Sequence, residues 1–383
     1  MRKPRVLIVG GGPSGAACAI ELARQGVEVH VFERGAPHRK KVCGDGLNFD
    51  TQKALKRLGV FDTVREKALV IPRAVIYGYR GEEIPIAETF LTLQRSEFDQ
   101  ILRDSVEASG GRVRYETRID QVQVASDGVC VRDRVGNTCE GDVLVLATGV
   151  RTKLAESLGF TFRPPSAVAL RGYVPNTHGV NAYLFWLSRD VFPGYAWAFP
   201  CPDGVLNLGV IYFESGKPER SLHEQLRTFT QQTARRIIDE ADFVRRPKGY
   251  QLRTGLRRQP NYADRVLLVG ENVDCTYDLS GEGIGKAMVS GLLAAETILQ
   301  ASHPYGCEHL APYQQRLMET CARFHNGYRT AMAVMRHPVG NLFFTKLLAH
   351  SAKARTALAA IIKEEQYPES LFSAKGLLNT LLF

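Results

Sequence analysis

No apolar run in this chain approaches the roughly 20 residues that cross a bilayer as a helix, which excludes a helical integral membrane protein. The 8 cysteines never fall in a Cys-x-x-Cys or other paired ligand spacing, so neither a disulfide framework nor a zinc site is expected. The 9 histidines do not cluster either. Basic runs interleaved with aromatics are missing, which argues against nucleic acid as a partner. Internal repeats and low-complexity tracts are absent, and 44% hydrophobic with 23% charged residues speaks against long disorder. The first apolar strand starts a few residues after Met1, so no secretory signal is expected. A protein of the reducing cytoplasm, free or peripheral to a membrane, fits these absences.

What the chain has is length and glycine. Its 383 residues, 35 of them Gly, are enough for two domains and an appendage. The net charge of +9 suits an acidic membrane surface or a pyrophosphate-bearing substrate, and equally an ordinary solvated basic surface.

Residues 6–9 read as a buried parallel strand, followed by Gly10-x-Gly12-x-x-Gly15. Gly10 allows a tight turn, Gly12 the approach of a pyrophosphate, and Gly15 close helix–strand packing. Pro13 and Ser14 open the next helix, whose amides and dipole face the phosphates. Residues 27–32 form a second strand ending at Glu33 and Arg34. An acid at that spacing binds ribose hydroxyls and disfavours a 2′-phosphate. Two later segments repeat the strand-then-glycine form: residues 144–149, ending Thr148-Gly149, and residues 265–271, ending Gly270-Glu271. Gly281-Glu-Gly283-Ile284 then opens a helix whose positive end would favour negative charge on a reduced ring. Three such segments in this order are how a chain wraps around FAD.

Between them, Asp50 is expected to cap a short helix with Leu55 and Leu58 inward and Gly59 at its end. Ser96 and Asp99 form a capping-box pattern, as do Ser221 and Glu224. Tyr195, Trp197 and Phe199 alternate, placing three aromatics on one strand face and Ala196 and Ala198 on the other. Taken alone, that pattern reads as an ordinary hydrophobic core. Residues 202–204 supply a turn to a second strand carrying Leu206, Leu208 and Val210. The tail over residues 345–363 is spaced either for packing onto the first domain, the preferred reading, or for lying at a membrane interface.

These segments resemble the p-hydroxybenzoate hydroxylase fold of flavoproteins. Within it Lys41-Val-Cys43-Gly44, Gln94-Arg95 through Asp99, Gly194-Tyr195-Ala-Trp197-Ala-Phe199-Pro200 and Gly281-Glu-Gly-Ile284 resemble the geranylgeranyl reductase family. The resemblance implies an α/β protein with a discontinuous Rossmann-like FAD-binding domain (residues 1–72, 94–165 and 250–300). An inserted antiparallel-sheet substrate domain (73–93 and 166–249) and a helical C-terminal region (301–383) complete it. It implies non-covalent FAD and reduction of isolated C=C bonds in a prenyl lipid or prenyl diphosphate. The electron donor is left among NADPH, NADH and a small redox protein. Nothing fixes the oligomeric state, and a monomer fits. By resemblance Arg95 contacts the FAD, Cys43 and Gly44 lie near its reactive face, and Tyr195, Trp197, Phe199 and Pro200 line the lipid cavity. The chain departs from the family in having Glu271 for the usual aspartate and Asp278 for a proline. Cys43, Asp278 and Tyr195 are the candidate proton donors. A flavin monooxygenase of the same fold is the alternative. Halogenation is disfavoured because the aromatic stretch differs and residues 70–95 contain no lysine. A non-catalytic flavin or lipid binder is the third reading.

Overall fold

The computed structural model describes residues 3–187, 191–213, 220–239, 246–373 and 376. Its first layer is a six-stranded sheet built around Arg5–Val9. Glu28–Phe32 and Val143–Leu146 flank this strand in parallel, with Arg112–Arg114 and Val266–Leu268 outside them, also parallel. Val6, Leu7, Ile8, Leu144, Val145 and Leu267 are fully buried, as a sheet covered on both faces requires. Helices Pro13–Arg24 and Ile284–Gln300 pack on each other so closely that a Cβ at Gly291 would stand 2.1 Å from the Ser14 carbonyl oxygen.

Strand order reverses at Arg5–Val9, and the crevice past the carboxyl ends of strands at such a point is where ligands bind. Gly10, Glu33, the Ala147-Thr148-Gly149 segment and Gly270-Glu271 all fall just past the carboxyl ends of four parallel strands of this sheet. The motifs found far apart in sequence thus meet along one edge.

The second layer is a seven-stranded sheet in the order Lys248–Leu252, Ala167–Pro175, Val205–Tyr212, Gly194–Cys201, Tyr183–Trp186, Ala74–Tyr77, Glu83–Ile86. Because Lys248–Leu252 pairs with Ala167–Pro175, the chain leaves this sheet after Leu252. Tyr195, Trp197 and Phe199 share one face with Tyr183, Phe185 and Ile211. Ala196 and Ala198 share the other with Leu206, Leu208 and Val210, covered by Leu226 and Phe229. Pro200 follows the alanines by the same alternation, so the strand period turns it away from the aromatic face.

Trp197 lies opposite Gly209 in the register, and a Cβ at Gly209 would stand 2.2 Å from the indole ring. Gly209→Ala is expected to push the indole out of its rotamer and cost about 1–3 kcal/mol, read by urea denaturation.

The tail packs onto the protein, but chiefly against the second sheet and its strand Glu83–Ile86 rather than the first domain as expected, because the aromatic face there is the larger apolar surface left to cover. Helices Pro338–His350 and Ala352–Ile362 meet at Ser351, whose hydroxyl caps the second helix, so the amphipathic stretch is two helices rather than one. Phe344, Leu347, Leu348, Ile361 and Phe372 join the aromatic face in one core. Among the described residues no helix is long and apolar enough to cross a membrane.

Two of the three caps are otherwise. Helix Phe49–Arg57 starts from Asn48, and Asp50 is buried with its carboxylate turned inward. Helix Arg95–Ala108 starts from Gln94, and Asp99 pairs with Arg95 one turn back, a partner that outcompetes a neutral cap. Ser221 and Glu224 form the full capping box.

Candidate functional site

One cavity of about 1040 Å³ runs from the glycine fingerprint to the C-terminal helices. At the fingerprint end Gly10 turns with φ of +112°, and a Cβ there would stand 2.2 Å from the Ala147 oxygen. At Gly15 a Cβ would stand 2.0 Å from the Gly10 oxygen, so Gly15 serves packing and does not line the cavity. Gly12 is different: no atom lies within 4 Å of where its Cβ would be. It lines an open cradle at the N-terminus of Pro13–Arg24, the place a pyrophosphate takes.

Glu33 is 1% exposed and lines the same end. Its carboxylate accepts from Gly11 N at 3.1 Å and Gly35 N at 2.8 Å, and Arg39 Nε lies 2.7 Å away. Arg34, Arg39, Lys40 and Lys41 crowd this end. Burial pulls the Arg34 guanidinium below its ordinary range, and repulsion from Arg151 and Arg39 adds to it. Burial does the same to Lys41, with Arg95 adding repulsion. Cations that disfavour one another around an open cradle are a site built for an anion, and FAD's pyrophosphate fits it.

Further along, Ser14, Thr148, Gly149, Glu271, Gly281, Gly283 and Ile284 line the cavity. Thr148 Oγ1 donates to Asn272 Oδ1 at 3.1 Å. Glu271 Oε1 accepts from Arg253 N at 3.2 Å, and burial raises the carboxyl above its ordinary range. The longer arm is therefore accommodated by a backbone donor. Gly270, at φ +67°, is a packing glycine: its Cβ would stand 2.4 Å from Ser14 Oγ.

Beyond this lies the loop of Cys43 and Gly44, both lining the cavity. Arg95 also lines it, yet its guanidinium is committed: Nε and Nη2 donate to the two Asp99 oxygens at 2.7 and 2.9 Å, and its side chain hydrogen-bonds Cys43. Burial opposes charge on Asp99, but Arg95 outweighs it and holds the carboxyl below the ordinary range. Asp45 secures the loop from behind. Its carboxylate accepts from Arg95 N at 3.2 Å, from Asn207 Nδ2 at 2.8 Å and from the Tyr173 hydroxyl. Asn207 also donates to Cys43 O at 2.7 Å and accepts from Trp197 Nε1 at 3.0 Å. The aromatic wall and the cysteine loop thus share one hydrogen-bond network.

The far chamber is apolar, walled by Tyr183, Phe185, Trp197 and Phe199 and closed by Phe344, Leu348, Ile361 and Phe372. Tyr183 stacks on Phe199 with centroids 4.2 Å apart.

Three expected residues stand apart from their assigned places. Pro200 does not line the cavity; its carbonyl accepts from Thr92 Oγ1 at 2.6 Å. Asp278 does not line it either, because its carboxylate accepts from Thr254 Oγ1. Tyr195 lines it, but its hydroxyl donates to Ser280 O at 2.5 Å, clamping the glycine turn, and burial pushes its pKa up. Conversely, Asn48, Asp50 and Glu282 are polar residues that line the cavity and were not assigned to it. Glu282 sits inside the Gly281–Gly283 motif, where the flanking glycines carry the local sequence signal and the acid carries none of its own. Among the described residues no group of His, Cys, Asp and Glu forms a metal site.

Comparison with known proteins bears on this site. The family described as FAD binding domain matches residues 3–299. Menaquinone reductase of Mycolicibacterium smegmatis is 30% identical over 318 residues, 76% of this chain and 75% of that protein. Digeranylgeranylglycerophospholipid reductase of Methanothrix thermoacetophila is 26% identical over 339 residues, 83% of this chain and 84% of that protein. Among solved structures, a geranylgeranyl bacteriochlorophyll reductase-like protein from Thermoplasma acidophilum superposes with a TM-score of 0.76 at 21% identity, covering 100% of this chain and 96% of that one.

Proposed function

The chain belongs to the FAD binding domain family of flavin-dependent oxidoreductases, and on that premise we propose that it saturates isolated C=C bonds in the polyprenyl chain of a lipid. The observation that carries this reading is the junction of two unlike halves in one cavity: a cationic glycine cradle that fits FAD, and a chamber walled by aromatic and aliphatic side chains, with Asn48, Asp50 and Glu282 among its polar lining residues. The relatives named for menaquinone and for digeranylgeranylglycerophospholipid support it, since a polyprenyl chain is what those two molecules share.

Bound and reduced, FAD supplies the hydride. The residues do the rest. Gly10, Gly12, Ser14, Glu33, Arg34, Thr148, Gly149, Glu271, Gly281, Gly283 and Ile284 would hold the cofactor, with Arg95 and Asp99 fixing the loop that carries Cys43. Tyr195, Trp197 and Phe199 hold the chain by burial, each methylene contributing about 0.8 kcal/mol. A wall of rings discriminates chain length weakly, so several prenyl substrates are expected to react. The helices closing the chamber exclude water, which favours transfer to carbon over side reactions. A soluble diphosphate and a membrane lipid are both compatible with this wall, and peripheral membrane contact through the tail belongs to the same proposal.

The test is stopped-flow without air. Dithionite-reduced holoprotein mixed with geranylgeranyl diphosphate is expected to regain the oxidised flavin absorbance in step with loss of substrate; reduced flavin that persists with this and with lipid-linked prenyl substrates contradicts the proposal.

A further inference from the structure

An isolated alkene accepts hydride poorly unless a proton arrives with it, so the cavity needs an acid. Tyr195 and Tyr183 both line the chamber, and each hydroxyl is donated to a backbone carbonyl, Ser280 O at 2.5 Å and Leu91 O at 3.1 Å. Asp278 lies outside the lining. What does face the chamber is a cluster drawn from three separate stretches of chain. Glu282 and Asp50 line it, Lys286 stands behind them on the helix Ile284–Gln300, and Glu364 closes the back from just after Ala352–Ile362.

The geometry is that of a path. Lys286 Nζ lies 2.6 Å from Glu364 Oε1 and 3.9 Å from Asp50 Oδ2. Asp50 Oδ2 is buried and has no hydrogen-bond partner, so it is an acceptor with capacity to take a proton from Lys286. Tyr277 donates to Glu364 at 2.8 Å, fixing the outer carboxylate. Side-chain exposure rises outward, from 4% at Asp50 and 5% at Lys286 to 13% at Glu364. Gly285 makes room for the cluster: a Cβ there would stand 2.2 Å from the Asp50 carboxyl carbon.

Resting on the reading that this cavity reduces an alkene, we propose that Glu282 carries the proton delivered to the substrate and that Asp50, Lys286 and Glu364 form the route that restores it from outside. Three carboxyls share one ammonium in a buried site, and stability alone selects against such an excess of charge unless a carboxyl is neutral. Burial pushes the Glu282 carboxyl well above its ordinary range, and Asp50 and Glu364 push it further; the Asn48 side chain hydrogen-bonds it. Burial opposes charge on Lys286, but Asp50 and Glu364 outweigh it and keep the ammonium charged.

In the step itself the π bond breaks. One alkene carbon gains the hydride given up by reduced FAD in its two-electron oxidation. The other gains the Glu282 proton through the π electron pair, leaving Glu282 as a carboxylate. Asp50 passes its proton to the Glu282 carboxylate, the Lys286 ammonium, swinging from Glu364 toward Asp50, replaces the Asp50 proton, Glu364 gives its own to the amine so formed, and Glu364 takes one from solvent.

The test is infrared spectroscopy of the holoprotein at neutral pH, paired with anaerobic single turnovers. A neutral-acid carbonyl band that shifts in deuterium oxide is expected in the unaltered protein and lost in Glu282→Gln. The same variant is expected to slow alkene saturation at least about a hundredfold, while dithionite still reduces its flavin and dioxygen still reoxidises it. Glu282→Asp, which keeps an acid, is expected to recover part of the rate and the band, and separates loss of the proton from loss of the fold. Survival of the band in Glu282→Gln, or an unchanged saturation rate, overturns the proposal. Loss of the band together with an unaltered protein that reduces no alkene would leave Glu282 as the proton holder and sink the alkene reading instead.

Discussion

Gly12→Ala is expected to yield a folded, colourless protein. No protein atom lies within 4 Å of the position its Cβ would take, so the apoprotein accepts the methyl group. The space it fills is the cradle at the N-terminus of Pro13–Arg24, and a pyrophosphate brought against that backbone meets the methyl directly. FAD affinity is expected to fall about a hundredfold or more, roughly 3 kcal/mol, while the thermal midpoint of the apoprotein is unchanged. Gly15→Ala is the control. Its Cβ would stand 2.0 Å from the Gly10 oxygen, so that variant is expected to lose stability as well as cofactor. Flavin fluorescence titration and circular dichroism melts read the two effects separately. Retention of FAD by Gly12→Ala would mean that the phosphates lie elsewhere.

The largest expected loss of stability follows Arg95→Ala. Arg95 is 4% exposed and Asp99 fully buried, and the two form a bidentate pair. Removing the guanidinium leaves a buried carboxylate without its counter-charge, at a cost of about 3–5 kcal/mol. The pH dependence follows from linkage. In the unaltered protein Asp99 is depressed below its unfolded value, so its stabilisation is full above the ordinary carboxylate range and is lost as pH falls through the folded pKa. His325 acts in the same direction. Burial pushes it down to about 3, with Lys286 and Arg329 contributing, so the unfolded chain binds the proton first and stability drops as pH falls from 6.5 toward 3. Acid therefore removes the contributions of Asp99 and His325, while Glu271 and Asp274, raised by burial, work in the opposite direction. In Arg95→Ala the lone Asp99 is easier to protonate than to leave charged, and the penalty is expected to shrink toward about pH 4. Urea denaturation at neutral and acidic pH measures both; a penalty that grows on acidification would contradict the pair's assigned role.

Much of the cofactor half was legible in the sequence because it rests on backbone geometry. Gly10, Gly12, Gly15 and Glu33 follow from a strand, a turn and a helix that are contiguous in the chain, and no distant partner is needed to read them. The aromatic wall was legible for a similar reason, since alternation alone puts Tyr195, Trp197 and Phe199 on one face. Applied one residue further, the same alternation turns Pro200 away. The roles of side chains with distant partners stayed hidden. Asp50 looks like a cap until Lys286, more than two hundred residues on, is seen beside it. Asp99 looks like half of a capping box until Arg95 claims it. Asp45, Asn207 and Tyr173 carry no local signal, yet together they hold the cysteine loop against the wall. Asp278 drew interest by departing from a family pattern, and Thr254 accounts for it.

The most direct measurement is the mass and position of label in the product. Holoprotein reduced without air is given geranylgeranyl diphosphate in deuterium oxide, and the product is examined by mass spectrometry and nuclear magnetic resonance. The expected result is a saturated bond in which both carbons carry deuterium, one placed by protonation and the other as hydride from the reduced flavin, whose N–H exchanges with solvent, so that each step adds two deuterons across one alkene. A substrate returned unchanged, together with a product that gains oxygen once air is admitted, would contradict alkene reduction and identify a monooxygenase on the same fold.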